Sequence, residues 1–203
     1  MHAFVQQMIN QYLQSIDRVS AWSGKAFAWC IVGLTAVVCF DVVARYYFNA
    51  PTQWGGDVSL MLYGALFMMA GAYTLSRNGH VRGDVLYRFL PPKLQAGLDL
   101  GLYLLFFIPG IAALAWFGVG FFWESWGFAE KSQTSSSSIP IYPLKLIIPI
   151  AGGLLLLQGA AEIARCMICL KRGQWPQRLH DVEEIDVEEL KADLDAGQRK
   201  EGQ

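Results

Sequence analysis

An all-α integral membrane fold with four transmembrane helices is what this sequence predicts, on three observations. Four apolar stretches, at about residues 22–47, 58–75, 100–123 and 146–169, are long enough to cross a bilayer. A helix rises about 1.5 Å per residue, so ~20 apolar residues cover a ~30 Å hydrocarbon core. None of the four carries a charge at its centre, where a charge is costly and usually marks an ion or substrate path. Apolar residues make up 54% of the 203. The spans and their connections use nearly the whole chain. One membrane domain over 21–172 is therefore expected, preceded by a segment at 1–20 and followed by a tail at 173–203.

Residues 4–19 have helical periodicity. Phe4, Val5, Met8, Ile9, Tyr12, Leu13, Ile16 and Val19 share one face, and Gln6, Gln7, Asn10, Gln11, Gln14, Asp17 and Arg18 the other. Such an amphipathic helix lies in the membrane surface plane. The competing reading is a helix that fills a groove on a partner chain. No basic region precedes the first apolar stretch, so a cleaved signal peptide is not expected.

The first span runs into DVVARYYFNAPTQWGGD. Asn49 and Pro51 stop it, because proline disfavours the helical region in the residue before it. Tyr46, Tyr47, Phe48 and Trp54 suit the headgroup level as an aromatic belt. The second span is rich in Gly64, Ala65, Met68, Met69, Ala70, Gly71 and Ala72, and small residues favour close helix packing. A polar loop with Arg77, Arg82, Arg88 and Lys93 follows. Pro109-Gly110 predicts a kink in the third span. A Ser/Thr-rich loop at 132–138 is read as mobile. Pro143 and Pro149 flank the start of the fourth span, and Lys171 and Arg172 close it.

Charge sets orientation. Arg18, Lys25, the four basic residues of the middle loop, Lys171, Arg172 and Arg178 fall on one side; Arg45, Lys131 and Lys145 fall on the other. The positive-inside rule then puts both termini and the middle loop in the cytoplasm. The net charge of -1 hides a split, for residues 178–203 hold 9 Asp/Glu against 4 Lys/Arg. That tail reads as disordered, and nothing here favours nucleic acid.

Several chemistries are argued down. A membrane b-type cytochrome needs histidine ligands within spans, but His2, His80 and His180 all lie outside them. A proton-coupled carrier acting alone needs a mid-span acid, and a P-loop is absent. Cys30 and Cys39 sit on roughly opposite faces of one helix. Cys166 and Cys169 form a lone CxxC. It is read either as small apolar filler or as the site of a membrane thiol-disulfide or metal-dependent enzyme. No cofactor and no catalytic residue is expected. What survives is a role in packing against something else, or a lipid-organising structural role.

Asp41 and Arg45 are four apart and share a helix face. Arg45 lies on the side where positive charge is disfavoured, so a partner is expected: Asp41, Asp57, a lipid phosphate or another subunit's acid. Glu162 and Arg165 form a similar pair in the fourth span. Asp57 opens the second span, where an acid suits the helix dipole. His80, Arg82 and Asp84 cluster in the middle loop, either as lipid anchors or as a docking contact.

Residues 44–87 resemble the small membrane subunit of tripartite ATP-independent periplasmic (TRAP) transporters, the DctQ-like family. The matching pattern is Arg45-Tyr46, Asn49, Pro51, Trp54, then Asp57 (often Glu in the family), then His80-Val81-Arg82 with Asp84. Residues 142–162, with Pro143, Lys145, Pro149 and Gln158, look like the family's last span. The likeness covers most of 20–170 and leaves out the N-terminal helix and the acidic tail. It implies a non-catalytic small permease subunit of the bacterial inner membrane, paired with a large multi-span subunit that holds the substrate and sodium sites. A periplasmic solute-binding protein would deliver an organic acid for symport. The wording MLYGALFM…GAYTL looks closest to members grouped with 2-oxo acid or mannitol-type systems. The resemblance, with Asp41 added by its spacing to Arg45, makes Asp41, Arg45, Tyr46, Asn49, Pro51, Trp54, Asp57, His80, Arg82, Asp84, Pro149 and Gln158 the candidates for partner contact or structural support.

Overall fold

The computed structural model describes residues 2–77, 89–134 and 136–176, with side chains described from residue 11 onward. The elements are α1 (His2–Ala28), α2 (Cys30–Tyr47), α3 (Gly55–Ser76), α4 (Pro92–Leu102), a π-helical turn (Tyr103–Phe107), α5 (Ile108–Gly127) and α6 (Tyr142–Arg172). Only Trp29 separates α1 from α2, and its backbone stays right-handed at φ -64° and ψ -18°. The turn joins α4 to α5 directly. Among the described residues, four helices have membrane-spanning length and apolarity: Gln11–Tyr47, Gly55–Ser76, Pro92–Gly127 and Tyr142–Arg172. The described elements are all helices, as in a multi-pass membrane protein.

These helices reach further than the apolar runs that announce them. α1 is unbroken across residues 20–22, where the hydrophobic pattern puts the border between the amphipathic segment and the first span. The helix that leads into the third apolar stretch begins at Pro92, ahead of the apolar run at about residue 100. A hydropathy pattern marks what lipid contacts. Helical hydrogen bonding continues past that zone wherever side chains find protein partners.

Sequence explains the ends. Asn49 has φ 51°, a left-handed backbone that Asn tolerates better than most residues, and α2 stops just before it. Gly173, at φ 75°, ends α6 by donating its N–H to the Cys169 carbonyl at 2.7 Å. Pro109 has no N–H to give and its ring crowds the preceding turn. The π turn directly ahead of it, closed by the Ile108 N–H on the Tyr103 carbonyl, absorbs that defect where a kink is expected. The 128–141 loop is tied as well. Lys131 and Pro140 form an antiparallel bridge, and Ser132 donates its N–H to the Ile139 carbonyl at 2.7 Å.

α3 and α6 form the centre. α3 packs against α1, α2 and α6; α6 packs against α5, α4, α3 and α1. Small residues set these approaches. A Cβ at Gly24 would fall inside van der Waals contact with the Cβ of Tyr73, so the Tyr73 side chain of α3 packs directly on the α1 backbone. A Cβ at Gly152 would lie 3.0 Å from that of Ala115, giving α5 and α6 the same intimacy. The outward faces stay apolar, with Phe40, Val43 and Tyr46 on α2 and Trp116, Phe117 and Trp123 on α5 all exposed.

Candidate functional site

Polar chemistry concentrates in a buried cluster between α1 and the C-terminal half of α6. Arg165 donates from one guanidinium nitrogen to Asp17 Oδ2 at 2.5 Å and from the other to Glu162 Oε1 at 2.5 Å. Gln158 Nε2 donates to Asp17 Oδ1 at 2.9 Å, and Ser20 Oγ donates to Gln158 Oε1 at 2.9 Å. All five side chains are buried, Arg165 to 2% and Gln158 to 0% exposure. Residues 158, 162 and 165 share a face of α6 by helical spacing, and 13, 17, 20 and 24 share the facing stripe of α1. Both oxygens of Asp17 are engaged. A buried charge without such partners would cost several kcal/mol.

The hydrophobic pattern puts Asp17 on the polar face of α1 and Tyr12 and Val19 on the apolar face that an in-plane helix turns to lipid. In the structure Asp17 is 4% exposed, while Tyr12 and Val19 are 68% and 52% exposed. What the pattern does not give is that part of the polar face meets another helix. There the polar residues seek each other and the apolar ones face out. The i, i+3, i+7 recurrence of Asp17, Ser20 and Gly24 is the signal that would have exposed the packing face. The Glu162–Arg165 pair is present as its spacing suggests; Asp17 and Ser20 are the partners the pattern missed.

The other end of the molecule holds a second set. Arg45 bonds Asp41 at 2.8 Å, so the Asp41 option for its partner is the one observed. Asp41 Oδ1 also accepts the Thr52 N–H at 2.9 Å and the Thr52 hydroxyl, stapling the α2–α3 loop back onto α2. Trp54 stacks on Phe40 with ring centroids 6.0 Å apart. Asp57 is buried in the first turn of α3, while Tyr46, Asn49 and Pro51 are exposed. Ser136 donates to Gln53 at 2.9 Å, joining this loop to the 128–141 loop. There Lys145 bonds Glu130 and lies 3.8 Å from the centroid of the Phe121 ring. The Lys145 hydrogen bond holds the Glu130 carboxyl below its ordinary value of 4.5.

Pro149 sits in α6 against Gly118 of α5, two helical turns and more from Gln158. The candidates thus divide between a loop-end rim, a helix–helix seam and the buried cluster. His80, Arg82 and Asp84 lie outside the described residues, as does the acidic tail beyond residue 176. Cys166 and Cys169 are 1% and 0% exposed, and Cys169 Sγ approaches the Pro92 carbonyl at 3.6 Å. The Cys169 thiol thus packs α6 against the start of α4, and both thiols lie inside the protein. Among the described residues, no three His, Cys, Asp or Glu side chains gather as a metal site.

No curated protein matches the chain closely enough to count as a relative. The family pattern described as "Tripartite ATP-independent periplasmic transporters, DctQ component" matches residues 34–168, about two thirds of the length. That stretch takes in most of α2, all of α3 to α5 and all but the last turn of α6, including Gln158, Glu162 and Arg165 but not Asp17. The chain therefore belongs to the DctQ component family of TRAP transporters.

Proposed function

We propose that this chain is the non-catalytic small permease subunit that scaffolds and anchors a large transport subunit in a bacterial inner membrane. The complex would carry out sodium-coupled uptake of an organic acid handed over by a periplasmic binding protein. Both termini and the middle loop lie in the cytoplasm in this reading, on the strength of the Lys/Arg asymmetry. The observation that carries it is the saturation of the buried ionic cluster. Asp17, Gln158, Glu162 and Arg165 bond one another instead of lining a passage, so the deepest charges serve helix packing. The apolar outer faces of α2 and α5 suit contact with lipid and with a neighbouring membrane chain. Arg45, Asn49, Trp54 and Asp57 then shape the periplasmic rim, and His80, Arg82 and Asp84 the cytoplasmic one. The first turns of α1 run along the membrane surface.

Co-purification with the large subunit, followed by uptake in vesicles with and without this chain, is the direct test. Uptake requiring both chains is the expected result. A chain that stays monodisperse alone, captures no membrane partner and accumulates an organic anion by itself overturns the proposal.

A further inference from the structure

A cleft of about 220 Å³ opens beside the buried cluster, between α1 and the C-terminal end of α3. Asp17, Arg18, Ala21, Trp22, Lys25, Ser76 and Arg77 line it. Arg18 and Lys25 are seven apart, two turns along one helix face, and Trp22 stands between them. Arg77 closes the far wall as the capping residue of α3, its guanidinium carbon 5.4 Å from the centroid of the Tyr73 ring. Among the described residues no carboxylate pairs with any of the three cations. Asp17 is the nearest acid, and both its oxygens are already bonded, to Arg165 and Gln158. Counting Asp17, Glu162 and Arg165 together as one net negative charge still leaves the neighbourhood positive.

Position narrows the ligand. α3 ends at Ser76, so Arg77 marks where one span leaves the hydrocarbon. Trp22 is 75% exposed, and an exposed indole beside cations is the signature of headgroup depth. Guanidinium groups favour phosphate oxygens because they present parallel N–H donors, and a lysine adds a point charge.

We propose that this cleft binds a phosphate group of net negative charge, as an anionic phospholipid head or a soluble phosphate presents it. The site lies outside the rim and seam residues of the transport reading and does not depend on that reading. Its occupant would wedge between α1 and α3 and hold the first helix at a fixed depth.

The test uses the full chain in phosphatidylcholine nanodiscs, with phosphatidylglycerol added in one arm and inorganic phosphate, against chloride of equal ionic strength, in the other. Thermal unfolding and lipid retention are read. A rise in the unfolding midpoint with phosphatidylglycerol alone assigns the cleft to lipid; a rise with inorganic phosphate as well assigns it to phosphate in general. Each single change, Arg18→Gln, Lys25→Gln or Arg77→Gln, is expected to weaken phosphatidylglycerol retention about fivefold, the equivalent of about 1 kcal/mol per cation near a membrane surface. The triple variant should show no rise. A Lys171→Gln/Arg172→Gln control, at the same end but off the cleft, should keep it. The proposal is overturned if neither arm raises the midpoint, if the triple variant keeps the rise, or if the control loses as much as the triple variant.

Discussion

Arg165 and Asp17, 148 residues apart in the chain, meet at 2.5 Å and bind the first helix to the last. The contact joins a residue inside the matched family region to one outside it, so the family pattern covers only one side of the clamp.

Removing Arg165 leaves Asp17 and Glu162 buried without their cation. Arg165→Met is expected to destabilise the folded chain by about 3–5 kcal/mol. Asp17→Asn should cost less, because Glu162 still pairs with Arg165. A double-mutant cycle on Asp17 and Arg165, read by thermal unfolding in detergent, should give a coupling of about 1–3 kcal/mol. Additive effects would mean that the pair contributes nothing specific.

Gly24 and Gly101 should respond oppositely to the same change. An added Cβ at Gly24 collides with Tyr73, whereas at Gly101 nothing lies within 4 Å. Gly24→Ala is expected to cost about 1–3 kcal/mol through overpacking. Gly101→Ala should be neutral or stabilise by up to about 1 kcal/mol through helix propensity. Equal responses would contradict the close approach of α1 and α3.

Asp41 and Arg45 should differ although they are bonded to each other. Asp41 also holds Thr52, while the Arg45 side chain is 54% exposed. Asp41→Ala should loosen the α2–α3 loop and cost about 1–2 kcal/mol. Arg45→Ala should cost under about 1 kcal/mol in the isolated chain. If Arg45 also touches the large subunit, its loss appears in co-purification yield and not in the melting curve.

The 128–141 loop should open in acid. Glu130 titrates below its ordinary value of 4.5 because Lys145 bonds its ionised form. A depressed folded value means that the stabilisation is fully present above about the unfolded value and fades as pH falls through the folded one. Hydrogen exchange at Ser132 and Ile141 should therefore be protected near neutrality and accelerate below that range. Glu130→Gln should remove this pH dependence.

Hydropathy made the four spans legible, because lipid-facing length is a physical requirement that composition meets directly. Local spacing made Asp41–Arg45 and Glu162–Arg165 legible, since each pair lies within one helical turn. The stop at Asn49 followed from backbone chemistry alone. The partner of Arg165 did not follow, because it lies on another helix and a single sequence records no distance between helices. That the polar face of α1 packs on α6 did not follow either, because periodicity gives the faces of a helix and not what each one meets. In the structure Asp17 and Ser20 turn inward to α6, and Trp22 turns outward.

The clamp also bears on biogenesis. Synthesis proceeds from the N-terminus, so Asp17 leaves the ribosome long before Arg165 exists. Until α6 is translated and inserted, α1 carries an uncompensated carboxyl group and holds its final seat only provisionally. A chain truncated before residue 165 would keep three of its four apolar helices yet lack the counter-charge that locks the first one, making it a natural substrate for membrane quality control.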